Sequence, residues 1–319
     1  MTEFKHLRQF KKNDSAAVSE LFQLVYGSNY VYLEVYNPET FHRNHENGLW
    51  ESILAIGPND EILGHGLLWK HLYCPEIPEM SLIAVHPKAR NLGLAFKICQ
   101  KLIIMAKRNG SSGISSKQVC NHPFSQRLAS SLGFFNLSFW PDYVSSPFIS
   151  GDTRESIVGG YIPLNVKSTK TLFIPEKLRP SASLLVHGLD EIEFLQSPIR
   201  HTISSCSEVE ILQLEPKISE LYIRHWGADG PSKLDVANPN KLTCILVDAE
   251  LSENTLACEH LLSLGFIFMG LVPDRFNSWT WLFCKNFALE ATYVLMKKLM
   301  APTQEGISTQ VVNPSFIEA

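Results

Sequence analysis

Three features of this 319-residue sequence predict an α/β fold of the α+β kind, duplicated in a degenerate second half. In the first 165 residues, stretches with strand periodicity alternate with stretches of helical spacing. Between Glu79 and Phe96 an apolar strand passes through a turn marked by Pro87 and feeds directly into a helix with Gly93 at its start. A helix-ending Leu132-Gly133-Phe134 recurs as Leu264-Gly265-Phe266, again with strands around it.

The elements follow from residue pattern. Val18, Leu21, Phe22 and Val25 have the spacing of one helical face, predicting a helix over Ser15 to Tyr26 with Asp14 or Ser15 as cap. Trp50 to Ile56 and Ile62 to Trp69 flank Pro58-Asn59-Asp60 and predict two strands around a turn. Glu79 to Val85 is the next strand. Gly93 to Arg108 is a helix with Leu94, Ile98, Leu102 and Met105 at core spacing, stopped by Asn109-Gly110. A strand over Ile114 to Cys120 and a short helix over Pro123 to Leu132 follow, and Phe134 to Trp140 and Ile157 to Leu164 close the half as strands. In the second half, Leu242 to Val247, Ile267 to Val272 and Trp279 to Cys284 are predicted strands, and Ser252 to Leu264 is a helix. The stretch from Lys167 to Ser207, rich in Pro, Ser and Thr, connects the halves, with a short helix over Pro175 to His187.

Composition bounds the function. With 45% hydrophobic and 19% charged residues the chain is an ordinary globular sequence, long enough for two domains. A net charge of −4 with 28 basic residues and no Lys/Arg stripe argues against nucleic acid as a partner. No apolar run reaches membrane-spanning length, and Met1 to Lys12 holds no signal-peptide core, so a cytoplasmic location is expected. The seven cysteines are scattered and never spaced Cys-x-x-Cys, which predicts reduced packing residues and no zinc site. Cys120 near the turn is read as a small buried hydrophobe in preference to a nucleophile.

The junction at 79–96 is suited to an anion. A helix that starts at a turn leaves its first N–H groups unpaired and carries the positive end of its dipole. Gly93 admits close approach of a bulky diphosphate, and Ala95 keeps the next turn small.

Arg90-Asn91-Leu92-Gly93-Leu94-Ala95, preceded by Ala84-Val85-His86-Pro87, resembles the Gln/Arg-x-x-Gly-x-Gly/Ala signature of the GNAT acyltransferases. The segment from His122 through Gln126 to Leu132-Gly133-Phe134 is similar to the family's helix ending in Leu-Gly-Phe, in the right order and spacing, and the fold this resemblance implies is the GNAT fold, a mixed, mostly antiparallel sheet flanked by helices. Tyr26 to Tyr30, Tyr36 to Glu39 and Glu79 add a resemblance to a bacterial subgroup with a long segment after helix one and a second, divergent GNAT-like half. The implied domains are a GNAT acyl-CoA-binding domain at 1–165, a connecting segment at 166–207 and a degenerate GNAT-like domain at 208–319 that lacks the pyrophosphate turn.

The resemblance implies acetyl-CoA as cosubstrate and an amine acceptor, on a small molecule or a protein, with a homodimer as one arrangement and neither nucleic acid nor membrane involved. The pyrophosphate would rest on the turn formed by Arg90, Asn91, Leu92, Gly93, Leu94, Ala95 and Phe96. The pantetheine arm would pair like a strand with Ile83, Ala84 and Val85, in a gap opened by a bulge against Ile114 to Cys120. His122 and Ser125 are further coenzyme contacts. Glu79 is the candidate base, its pKa expected to be raised by partial burial; a solvated strand-end carboxylate is the alternative. Glu76 is a weaker substitute on what is read as a loop. Relatives commonly place a Tyr acid where this chain has Ala129, which leaves Ser125 or His122 as stand-ins. Tyr30 is the candidate acceptor-pocket residue, whereas His65 and His86 are read as structural or coenzyme-adjacent. The competing reading is a non-catalytic acyl-CoA-binding or interaction module that keeps the turn without turnover.

Overall fold

The computed structural model describes residues 4–28, 30–72, 74–145, 154–195, 204–214, 217–234, 241–275 and 278–287. Asn29 of the substrate-side segment and residues 288–319 of the second half lie outside them.

β1 (His6–Gln9) is an edge strand, and α1 (Ser15–Tyr26) turns Val18, Leu21 and Phe22 into the core as its periodicity requires. Asp14 does not cap α1; its carboxylate accepts from Arg8 Nη1 and the Lys11 amide, both at 2.6 Å. α2 (Pro38–Glu46) is absent from the sequence reading because it buries just Phe41, too little for a period. Its start is nonetheless encoded: Pro38 occupies the first turn, and Asn37 Oδ1 accepts from the Glu39 and Thr40 amides at 3.0 and 3.1 Å.

β2 (Trp50–Ile56) and β3 (Ile62–His71) form the expected antiparallel pair. β4 (Cys74–Val85) starts five residues before Glu79, with Pro75 and Pro78 inside it. Glu76 is therefore a strand residue, not a loop residue, and its carbonyl accepts from the Ser112 amide at 2.9 Å. α3 (Leu94–Arg108), β5 (Gly113–Val119), α4 (Phe124–Ser131), β6 (Phe135–Ser145) and β7 (Arg154–Pro163) complete the first half.

The connecting region holds β8 (Lys170–Phe173), α5 (Arg179–Leu185) and β9 (Ile192–Leu195). It is packed structure: Leu172, Ile174, Leu178 and Leu185 share one core with Trp281 and Phe283, and Trp281 Nε1 donates to the Phe173 carbonyl at 2.7 Å. Burying each such aliphatic side chain stabilises by about 1.5–3 kcal/mol. β10 (Glu208–Leu214), β11 (Ile218–His225), α6 (Gly230–Lys233), β12 (Leu242–Asp248), α7 (Thr255–Ser263), β13 (Ile267–Arg275) and β14 (Ser278–Lys285) follow.

Among the described residues one twelve-stranded sheet runs β1-β2-β3-β4-β5-β7-β6-β13-β14-β12-β11-β10. Outward from the β6–β13 seam the two sides have the same plan: a hairpin partner, a strand, its parallel neighbour, then an antiparallel strand. On one side this is β6-β7-β5-β4-β3 and on the other β13-β14-β12-β11-β10, with β4–β5 and β11–β12 as the parallel pairs. The seam pairs Gly270 with Ser138. Gly270 is required there, because a Cβ on it would lie 2.1 Å from the Leu137 carbonyl oxygen and its φ is +117°.

Candidate functional site

The site grows from a defect in β4. Its register against β3 shifts between His65 and Leu67, and Leu82 takes a φ of +51°, a conformation side chains other than glycine rarely adopt. Against β5 it pairs in parallel at Glu79↔Ser115 and Met80↔Ser116, and no further pair follows among the described residues. The two strands then part, and a cleft of about 510 Å³ lies between them and α4.

A buried hydrogen-bond chain holds the bulge. His65 Nδ1 donates to the Leu82 carbonyl at 2.7 Å; His65 Nε2 and His45 Nε2 both meet Ser52 Oγ, at 2.9 and 2.8 Å. Burial brings His65 down to about 3 and His45 to about 4, so both rings are neutral. His65, read as structural, thus fixes the peptide on which the cleft depends.

One end of the cleft is the turn. Gly93, with φ +69°, is the N-cap of α3, and no side chain caps that helix. A Cβ built on Gly93 meets nothing within 4 Å, so the approach is open. Arg90, Asn91, Leu92 and Gly93 are exposed, Leu94 is buried beneath them, and Ala95 and Phe96 line the cleft. Along the wall, Ser81 Oγ, Gln118 Oε1 and His122 Nδ1 are buried polar atoms with no hydrogen-bond partner among the described residues. Buried polar groups are rarely left so. An amide-bearing chain laid in the cleft offers them the missing donors and acceptors, so the residues present fit the pantetheine arm of a coenzyme. Of the predicted strand contacts, Ile83 lines the cleft and its carbonyl accepts from Tyr26 Oη at 3.2 Å; Ala84 is buried, with its side chain in the α1 and α2 core, and Val85 lies just before the turn.

At the other end stands Glu79, 5% exposed. Burial pushes its carboxyl up, but Lys117 Nζ at 3.0 Å and His71 Nε2 at 3.3 Å outweigh burial and bring it to about 2. The expectation of a raised pKa is therefore corrected: the glutamate is ionised. Lys117 and His71 were not singled out from sequence. The usable signal was alternation, which puts Lys117 on the same face of β5 as Ser115, the register partner of Glu79.

Tyr30 is close enough for the Glu79 charge to be felt at its phenol, which burial first and then Tyr26, Tyr32 and Glu79 hold well above the ordinary value. Its ring packs on Tyr26 at 4.5 Å between centroids. Ser125 lines the cleft, and its hydroxyl donates to the Val119 carbonyl at 3.2 Å. Ala129, in place of a tyrosine, is buried on the same wall. His86 lies away from Glu79 at the turn, where Nδ1 accepts from the Lys88 amide at 3.1 Å and caps a short 3-10 turn. Cys120 is buried and pushed up to about 12 by that burial, consistent with packing and not with a thiolate nucleophile.

Among the described residues of the second half, β11 and β12 show no equivalent gap. β11 and β12 pair without interruption from Ile218↔Leu242 to Ile223↔Val247.

Residues 16–134 match the model of a family described as Acetyltransferase (GNAT) family. Similar solved structures include the ribosomal-protein-S18-alanine N-acetyltransferase from Escherichia coli, 16% identical, with 53% of this chain and 97% of that one covered and a TM-score of 0.43. An N-acetyltransferase from Staphylococcus aureus Mu50 is 18% identical over 50% of this chain and 97% of that one, with a TM-score of 0.43. A phosphinothricin acetyltransferase of the GNAT superfamily from Sinorhizobium meliloti, in complex with AcCoA, is 17% identical over 50% and 88%, also with a TM-score of 0.43. Among curated proteins none matches the sequence.

Proposed function

From the match of residues 16–134 to the GNAT acetyltransferase family model, we propose that the protein transfers the acetyl group of acetyl-CoA to an amine. The observation that carries this reading is the parting of β4 from β5 just beyond Glu79, with the uncapped start of α3 at the far end of the same cleft. The coenzyme supplies an activated acyl carbon; the chain supplies everything else. Arg90 to Phe96 would hold the pyrophosphate, and Ile83 to Val85 with His122 and Ser125 would hold the arm that leads to Glu79.

An amine attacks in its neutral form, so a proton has to leave it first. At about 2 the Glu79 carboxyl does not keep a proton near neutrality. Its part is to attract and orient the ammonium and to relay its proton to solvent water, which reaches the site beside the His71 ring, 40% exposed, whose Nε2–H donates to the carboxylate at 3.3 Å. Ser125 is the nearest replacement for the missing tyrosine acid; its hydroxyl would leave the Val119 carbonyl to protonate the departing thiolate. The second half, 208–319, is read as a degenerate GNAT-like unit with a structural task, supported by the matching strand plan and the closed β11–β12 pair. We place the protein in the cytoplasm.

Ala129 favours the competing reading, a coenzyme-binding module without turnover. Calorimetry with acetyl-CoA and a thiol-release assay over a panel of amines separate the two. Binding with release that Glu79→Gln abolishes supports catalysis; binding without release for any amine favours the module; no binding sinks both.

A further inference from the structure

A second cavity, of about 380 Å³, lies where the two halves meet. Glu79, Ser116 and Lys117 line it and the coenzyme cleft alike. Glu79 and Ser116 belong to the last register pairs before β4 and β5 part, and Lys117 follows Ser116 on β5, so the lining that the two cavities share lies where the sheet opens beside Glu79. From that opening the second cavity runs over Ser115 and Gly159 to Ile211 and Leu212 on β10 and Val272 and Pro273 on β13.

Resting on the acetyl-transfer reading, we propose that this cavity between the halves is the acceptor site, and that its ligand is a small primary amine with an apolar body. The second half then has a definite task, to supply the far wall. The ligand class follows from that wall. Glu79 and Glu210 line it with Lys117 and His71, so a cationic head can join the Glu79 end as a further partner of the carboxylate, while Ile77, Ile211, Leu212, Val272 and Pro273 suit an apolar remainder. Gly159 keeps the floor low: a Cβ there would lie 2.2 Å from Ser138 Oγ. Nucleophile and thioester would approach from different cavities and meet beside Glu79, so neither has to leave for the other to enter.

The test does not require the natural acceptor. Ser115 lines the second cavity and not the coenzyme cleft. In Ser115→Cys, bromoacetyl-CoA bound in the cleft should alkylate the new thiol: the sulfur forms a bond to the bromoacetyl carbon, bromide leaves, and the thiol proton goes to buffer. Proximity should make this about tenfold or more faster than labelling of exposed Cys206. Peptide mass mapping reads the site. Alkylation at position 115 or at native Cys74, slowed by 2-phenylethylamine, is the expected result. Coenzyme binding by calorimetry with alkylation confined to Cys99, on the coenzyme side, overturns the proposal and leaves acetyl transfer standing. Loss of coenzyme binding in the unaltered protein removes the acetyl-transfer reading and the proposal together. Protection by a lysine peptide and not by 2-phenylethylamine overturns the ligand class.

Discussion

Glu79 and Glu220 occupy the same register in the two halves. From Leu132-Gly133-Phe134 the next residue, Phe135, pairs with Tyr161, Tyr161 with Ser115, and Ser115 with Glu79. From Leu264-Gly265-Phe266 the next residue, Ile267, pairs with Cys284, Cys284 with Cys244, and Cys244 with Glu220. Both carboxylates are buried, but their partners differ: Glu79 faces Lys117 and His71, whereas Glu220 Oε2 accepts from Tyr143 Oη of the first half at 2.7 Å.

The two glutamates should therefore respond to substitution in different ways. Glu79→Gln should lower turnover by about 10²-fold or more, the range for a lost proton-transfer group, with acetyl-CoA affinity retained. Glu220→Ala should cost about 1–3 kcal/mol of stability by leaving the Tyr143 hydroxyl without that acceptor, and leave the rate per folded molecule unchanged. Urea melts beside thiol-release assays check both.

Removing Lys117 tests the charge balance at the site. The Glu79 carboxyl lies at about 2 in the fold against an ordinary 4.5, so it adds stability above pH 4.5 that is lost as the pH falls from 4.5 toward 2. In Lys117→Met, burial is opposed by His71 without the ammonium. The carboxyl should rise, and the acid limb of a urea-midpoint-against-pH curve should move to higher pH.

His45 and His65 have the opposite requirement, since both are held neutral at about 4 and 3, well below 6.5. The unfolded chain binds these protons first, so their contribution is complete above pH 6.5 and falls away between 6.5 and about 3. His65→Leu should flatten that region of the stability curve. It should also cost about 1–3 kcal/mol by stranding the Leu82 carbonyl. His65→Asn, whose amide places a donor near the Nδ1 position, should recover part of both stability and rate.

Gly93→Ala separates backbone strain from ligand approach. Nothing lies within 4 Å of the added Cβ, so the cost to folding is that of φ +69°, about 1–2 kcal/mol. The methyl takes up open space at the uncapped start of α3, so acetyl-CoA binding measured by calorimetry should weaken about tenfold or more.

Gly270→Ala acts on the seam. A Cβ 2.1 Å from the Leu137 oxygen forces the two halves of the sheet apart, at an expected cost of about 2–4 kcal/mol. Differential scanning calorimetry should show the main transition broadening or splitting as the halves uncouple.

The fold was legible wherever one face of an element is strongly apolar. α1, α3, the strands around Pro58-Asn59-Asp60 and the repeated Leu-Gly-Phe endings all announce themselves. α2 did not, because its sole buried apolar residue gives no period, although Asn37-Pro38 marked its start. β4 was shortened by reading Pro75 and Pro78 as breakers; the strand in fact continues through both. The turn from Arg90 to Phe96 could be read directly since its residues are contiguous. The Glu79 environment could not, because Lys117 and His71 reach it from other strands and together reverse the pKa that burial alone predicts.

The closed β11–β12 pair has a consequence for how the protein divides its labour. Parting two parallel strands forgoes ladder hydrogen bonds, each worth about 0.5–1.5 kcal/mol net, and a cleft that must stay open cannot recover them. The second half keeps those rungs across Ile218–Ile223 and Leu242–Val247. Joined edge to edge through Gly270 and Ser138, the strand pair that keeps its rungs and the pair that gives them up belong to one continuous sheet.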